Sequence, residues 1–139
     1  MPANDITTAI GYDVAFTTQA IVSDTTTTGA IIDSQGFESV DFSIVTGTIT
    51  DGTYTLIIED GEDPGLSDAA VIATDLLVFS SGQTALPTFD LNDDDIVKHF
   101  GIVNHKRYSR LKIVSAGTTS GGTFTVVAMK GHAAKKPTS

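Results

Sequence analysis

With 139 residues and a net charge of −9, the chain has no cysteine and no tryptophan. The length suits one domain, able to bury roughly 70% of its unfolded surface without a covalent staple. The missing cysteine excludes disulfides, thiolate metal sites and a cysteine nucleophile.

No apolar run approaches the roughly 18 residues that span a bilayer, so no membrane partner is expected. The first residues, Met1-Pro2-Ala3-Asn4-Asp5, lack the basic and apolar regions of a secretory signal. Synthesis and folding in the cytoplasm are expected. Charge is divided along the chain. Residues 1–97 hold all 17 acidic side chains, and all eight Lys and Arg lie from Lys98 onward. Such asymmetry predicts separate electrostatic faces, and the acidic part would repel a phosphate backbone, so no nucleic acid is expected as partner. A plainer role for the acidic charge is solubility. Thr is abundant at 21 residues and Gly at 13, while Glu numbers three. β-Branched Thr favours strands and Gly supplies turns between them.

In chain order, residues 1–12 read as an N-terminal arm. Residues 14–22 read as a strand and residues 29–33 as a shorter one. Residues 38–45 and 53–59 both alternate apolar and polar with period two, and Asp51-Gly52 between them is a strong turn signal. This predicts an antiparallel hairpin with Val40, Phe42, Ile44, Tyr54, Leu56 and Ile58 facing the core. The stretch 61–95 is less regular, with short strands expected near 71–73, 76–79 and 88–91. Further strands are predicted at 97–103, 110–114 and 123–129. The last two, joined by the Gly-rich turn 117–122, read as a second hairpin, and residues 131–139 read as a C-terminal tail. The total is seven or eight strands at the spacing of an antiparallel β-sandwich, in one domain spanning residues 1–139.

Candidate chemistry is sparse. His99, His105 and His132 are the histidines. No spacing sets a nucleophile on its base, no Gly-x-Ser-x-Gly elbow occurs, and no His-x-His or Glu-x-x-His pair marks a metal. No catalytic residue, cofactor or metal ligand is therefore assigned, and no enzyme is expected. Two carboxylate clusters stand out: Asp90, Asp93, Asp94 and Asp95, and Glu59, Asp60, Glu62 and Asp63. Neither has the alternating order of a calcium loop, so both read as solvated turns, with structural calcium as the alternative. The strongest candidate for partner contact is the basic strip Lys106, Arg107, Tyr108, Arg110 and Lys112. With Leu111 and Ile113 inward, Arg110 and Lys112 point out of one sheet face. Three roles fit it: contact with an acidic partner, contact with the acidic part of a sister subunit, or pairing with acidic strands of its own chain.

Several short blocks resemble small proteins encoded in the head modules of tailed bacteriophages and prophages. They are Gln35-Gly36-Phe37-Glu38-Ser39-Val40-Asp41-Phe42, Thr46-Gly47-Thr48-Ile49-Thr50-Asp51-Gly52-Thr53-Tyr54-Thr55, Asp75-Leu76-Leu77, His105-Lys106-Arg107-Tyr108-Ser109-Arg110-Leu111 and Met129-Lys130-Gly131-His132. Together they span roughly residues 12–132. The resemblance implies a sandwich or jelly-roll fold and the role of a capsid decoration (cement) protein. Its partners would be the major capsid protein and itself, as dimer or trimer at capsid symmetry positions, on the outer capsid surface of the virion. A neck, tail-tube or head-fibre component is the first alternative. A carbohydrate- or cell-surface-binding β-module is the second, with the lack of Trp against it. The family offers no catalytic motif to carry over.

Overall fold

The structure, a computed structural model, describes residues 10–79, 83–102 and 106–133. Among them, regular structure is almost entirely strand: β1 (Gly11–Ile21), β2 (Thr26–Asp33), β3 (Phe37–Ile49), β4 (Thr53–Gly61), β5 (Ala70–Val71), β6 (Leu77–Phe79), β7 (Val97–Ile102), β8 (Tyr108–Ala116) and β9 (Gly122–Ala133). One turn of 3-10 helix, Thr74–Leu76, leads into β6. Sheet A has the order β1-β9-β3-β7-β6 and sheet B the order β2-β8-β4-β5. Every pairing is antiparallel.

With the short β6 set aside, the orders are β1-β9-β3-β7 and β2-β8-β4-β5, the arrangement of a jelly roll. The expected antiparallel sandwich is therefore found, with a jelly-roll strand order. All six residues predicted to face the core do so; Phe42, Ile44, Tyr54 and Ile58 are fully buried. They meet Phe100, Leu111, Ile113, Phe124 and Val126 between the sheets. Phe42 stacks on Phe100 at 5.6 Å, and Tyr54 lies 4.6 Å from Phe124. At about 1.5–3 kcal/mol per large side chain buried, these rows hold the layers together.

Neither predicted hairpin forms. β3 lies in sheet A between β9 and β7, whereas β4 lies in sheet B between β8 and β5. β8 and β9 are likewise in different sheets. Both Gly-containing turns are crossings over the same end of the sandwich. Alternation decides which side chains point inward, and it is satisfied equally by a strand across the core as by one beside it. The two crossings are fastened together by Asp51. Its carboxylate accepts the backbone N–H of Thr119, Ser120 and Gly121 at 2.9–3.1 Å, and the Thr119 hydroxyl as well. The Thr119 hydroxyl first, then the Gly121 and Ser120 N–H groups, holds the Asp51 carboxyl far below the ordinary carboxylate range. Gly121 has φ +91°, and a Cβ there would collide with the Ile21 carbonyl, so glycine is required where this turn passes β1.

The stretch 61–95 yields less strand than expected. β5 and β6 are short, and the predicted strand 88–91 is reduced to one bridge, Phe89 to Tyr54. The predicted arms are shorter in turn: β1 already includes Gly11 and Tyr12, and β9 runs on to Ala133. At the other margin of the sandwich, β1 and β2 close the gap between sheets. Gly29 permits this, because a Cβ there would collide with the carbonyl oxygens of Ala15 and Leu111.

Candidate functional site

β8 presents Leu111 and Ile113 to the core and Arg110 and Lys112 to the outer face of sheet B, as alternation requires. The adjacent register positions decide what these cations meet. Arg110 sits opposite Glu59 of β4, and its Nε and Nη2 donate to Glu59 Oε1 at 2.9 and 2.5 Å. Lys112 Nζ adds a contact to the same oxygen at 3.4 Å. Burial works to raise the Glu59 carboxyl, but the Arg110 hydrogen bonds and both positive charges outweigh it, and the group stays below its ordinary value.

Arg107 reaches Asp33 at the end of β2 as a fork, Nε to Oδ1 at 2.9 Å and Nη2 to Oδ2 at 3.0 Å. That hydrogen-bonded pair lowers the Asp33 carboxyl. The guanidinium also lies 4.9 Å from the Tyr108 ring. Backbone N–H groups complete the strip: Lys106 donates to Asp60 Oδ2 and Arg107 to Glu62 Oε1. The five residues of the basic strip are thus brought together. The charges of Arg107, Arg110 and Lys112 are met by Asp33 of β2 and Glu59 of β4 in their own chain, the third of the three roles the sequence allows.

Other cations follow the same pattern. Lys98 pairs with Asp93 at 3.1 Å and lies 4.9 Å from the Phe89 ring, while Lys130 pairs with Asp13 at 2.6 Å. Asp68 lies in the field of Lys106. The acidic clusters are turn clasps. Asp90 Oδ1 accepts the Asn92 N–H, Asp93 Oδ2 the Asp90 N–H and Asp94 Oδ1 the Ile49 N–H. In the second cluster Asp63 Oδ2 accepts the N–H groups of Gly65 and Ser67, and Asp68 those of Glu62 and Asp63. Among the described residues no three His, Asp or Glu side chains are grouped to hold a metal ion.

Of the histidines, His105 and the side chain of His132 lie outside the described residues. His99 sits on the outer face of sheet A, with Nδ1 3.5 Å from Asp41 Oδ1 and directly across from Ser43. Burial raises the Asp41 carboxyl, and His99 partly offsets it. Asp41, Ser43 and His99 therefore share one sheet face, a proximity the linear spacing does not reveal. The side chains of His99 and Asp41 are 51% and 32% exposed there. A groove of about 470 Å³ lies elsewhere, between the margins of β1 and β2, where Asp13, Asp33 and Lys130 line it.

The surface that sequence reasoning missed is the rest of that outer face. Register pairing sets one row across all five strands: Tyr12, Met129, Asp41, Gly101, Val78. A second row is Val14, Val127, Ser43, His99, and a third is Thr125, Val45, Val97. Tyr12, Val14, Val45, Val78 and Val97 are among the exposed large hydrophobic residues. The available signal was the consecutive apolar run Val126-Val127-Ala128-Met129, where both faces of β9 are apolar.

No family profile matches the chain, and no curated protein matches it. Among solved structures, the SPBc2 prophage-derived protein YomS matches at TM-score 0.48 and 11% identity, covering 86% of this chain and 92% of that one. A structure titled "Bacillus endospore appendages form a novel family of disulfide-linked pili" matches at TM-score 0.42 and 15% identity, covering 94% and 95%. Both likenesses are too distant to carry a shared function to this chain.

Proposed function

We propose that this chain is a structural virion protein, a decoration (cement) protein that binds the outer surface of the major capsid lattice of a tailed bacteriophage and stabilises the shell. The observation that carries the reading is a closed two-sheet core on which Lys98, Arg107, Arg110, Lys112 and Lys130 are each matched by a carboxylate of the same chain. Such a body suits protein contact, and the phage-head resemblance of its blocks supplies the class. Those blocks contain Asp51 of the end clamp, Arg107 of the Asp33 fork, Leu77 of the core and Met129 of the outer face.

The mechanism is linkage. A protein that binds the assembled shell and not its dissociated subunits favours the shell by mass action, and many equivalent sites multiply a small gain per copy. A rigid sandwich loses little conformational entropy on docking. The chain has no catalytic part in this role and needs no cofactor.

Co-sedimentation of the purified chain with shells of its own phage, with copies counted per capsid subunit, tests the reading. Saturable binding near one copy per subunit, together with a raised melting temperature of the shell, is expected. A dozen or fewer copies per particle would move the chain to the neck or tail. No binding would remove it from the shell altogether.

A further inference from the structure

Of the exposed large hydrophobic residues among those described, five share the outer face of sheet A: Tyr12, Val14, Val45, Val78 and Val97. Val127 and Met129 lie half-buried among them. The rows are contiguous, because they are set by neighbouring hydrogen-bonded strands. Asp41, Ser43, Gly101 and His99 lie between these side chains, so the face joins an apolar cluster of Tyr12, Val14, Val127 and Met129 on β1 and β9 to exposed Val45, Val97 and Val78 across a polar middle. Exposed apolar clusters rimmed by polar residues mark protein contacts.

Charge identifies the occupant. No Lys or Arg of the described residues lies in these rows. Lys98 and Lys130 turn to Asp93 and Asp13, and Arg110 and Lys112 lie on the opposite sheet. The carboxylate in the rows is Asp41, and it sits beside the His99 imidazole. The chain as a whole carries −9. Two copies of so acidic a chain repel each other on the whole. At this face they meet almost without net charge, and the Asp41–His99 pair offers each copy both an acceptor and a donor. A basic foreign partner would instead be drawn to the carboxylates outside these rows.

We propose that the outer face of sheet A is a self-association surface on which a second copy of this chain stacks face to face about a two-fold axis. An isologous contact needs one self-complementary patch, and closed two-fold dimers are the commonest assembly. A first row of five side chains, a second of four and a third of three, at about 4.8 Å between strands, give a patch of roughly 15 by 20 Å. That is nearer to weak, reversible contacts than to obligate ones. The inference does not rest on the virion reading, because it concerns the isolated chain.

The test is sedimentation equilibrium of the full chain from about 1 µM to about 1 mM, a range that covers weak association, at low and high salt. A monomer–dimer equilibrium is expected, and it strengthens with salt as repulsion between like-charged copies is screened. Val97→Glu should weaken dimerisation by about tenfold or more, equivalent to roughly 1.4 kcal/mol. Val71→Glu makes the same charge change on β5, on the other sheet, and should leave dimerisation within about twofold of the parent, a difference of roughly 0.4 kcal/mol. Val97→Ser removes the apolar contact without adding charge and should weaken association in the same direction; it replaces Val97→Glu if circular dichroism shows that variant unfolded. Monomers throughout the range would overturn the proposal. So would a dimer that salt dissociates, or one that Val71→Glu abolishes and the Val97 variants do not.

Discussion

The two outer faces of the sandwich are built on the same alternation and end in opposite chemistry. On sheet B, the central strand β8 projects Arg110 and Lys112 into Glu59 of its neighbour, and Arg107 ties the end of β8 to Asp33 of β2. On sheet A, the central strand β3 projects Asp41, Ser43 and Val45 among valines, Tyr12 and Met129. Sheet B thus closes its charge within itself, and sheet A leaves apolar surface open. An outward-facing charged residue is therefore poor grounds for a partner surface until its own neighbours are known. A cation directly opposite a carboxylate already has its partner.

The contrast can be broken most severely on sheet B. Arg110→Glu places a second carboxylate against Glu59, whose side chain is only 10% exposed. We expect a loss of about 3 kcal/mol or more, read as a lower urea midpoint at unchanged slope. An unchanged midpoint would show that the strip is not a clamp and would return it to the candidates for partner contact. Gly29→Ala attacks the seam where β2 of one sheet meets β1 of the other. Its Cβ meets two backbone carbonyls, and a loss of about 1–3 kcal/mol is expected.

Acid sharpens the comparison further. Asp33, Asp51 and Glu59 have folded-state pKa values below their unfolded ones. Their stabilisation is complete above the ordinary values of 3.8 and 4.5 and is lost as pH falls through the lower folded values. Asp41 on sheet A is shifted the other way, so its contribution is fully present below 3.8 and is lost as pH rises through its folded value. Asp51→Asn should lower the melting temperature at neutral pH and flatten its acid dependence. Asp41→Asn should raise the melting temperature slightly at neutral pH. Melting curves between pH 2 and pH 7 read both, and a neutral-pH fall for Asp41→Asn would contradict the assignment of burial as the dominant cause. The smallest effect is expected for Val97→Ser, within about 0.5 kcal/mol of the parent in folding stability, although the same change weakens self-association.

The core was legible where alternation was clean. Val40, Phe42, Ile44, Tyr54, Leu56 and Ile58 were assigned inward from spacing alone and are buried. The outward positions of Arg110 and Lys112 were legible for the same reason. Their partners were not. Glu59 is 51 residues from Arg110 and Asp33 is 74 from Arg107, and no local pattern links residues so far apart. Asp51 shows the limit most clearly. Asp51-Gly52 marks a turn, as read, yet its carboxylate binds backbone near residue 120, because the turn crosses between sheets instead of closing a hairpin.

Composition and period-two patterning by themselves determined an all-β chain, the inward face of its main strands, and turns at Asp51-Gly52 and 117–122. These are local properties, set by side-chain direction along an extended backbone and by residues that tolerate tight turns. The tertiary structure alone decided which strands are neighbours, that both central turns cross the sandwich, that the basic strip is met by its own chain, and that the apolar residues of five strands form one outer face. These depend on register between distant segments. Register is settled by the packing of the whole core, since one inward-facing pattern fits several possible neighbours and only one closes both sheets.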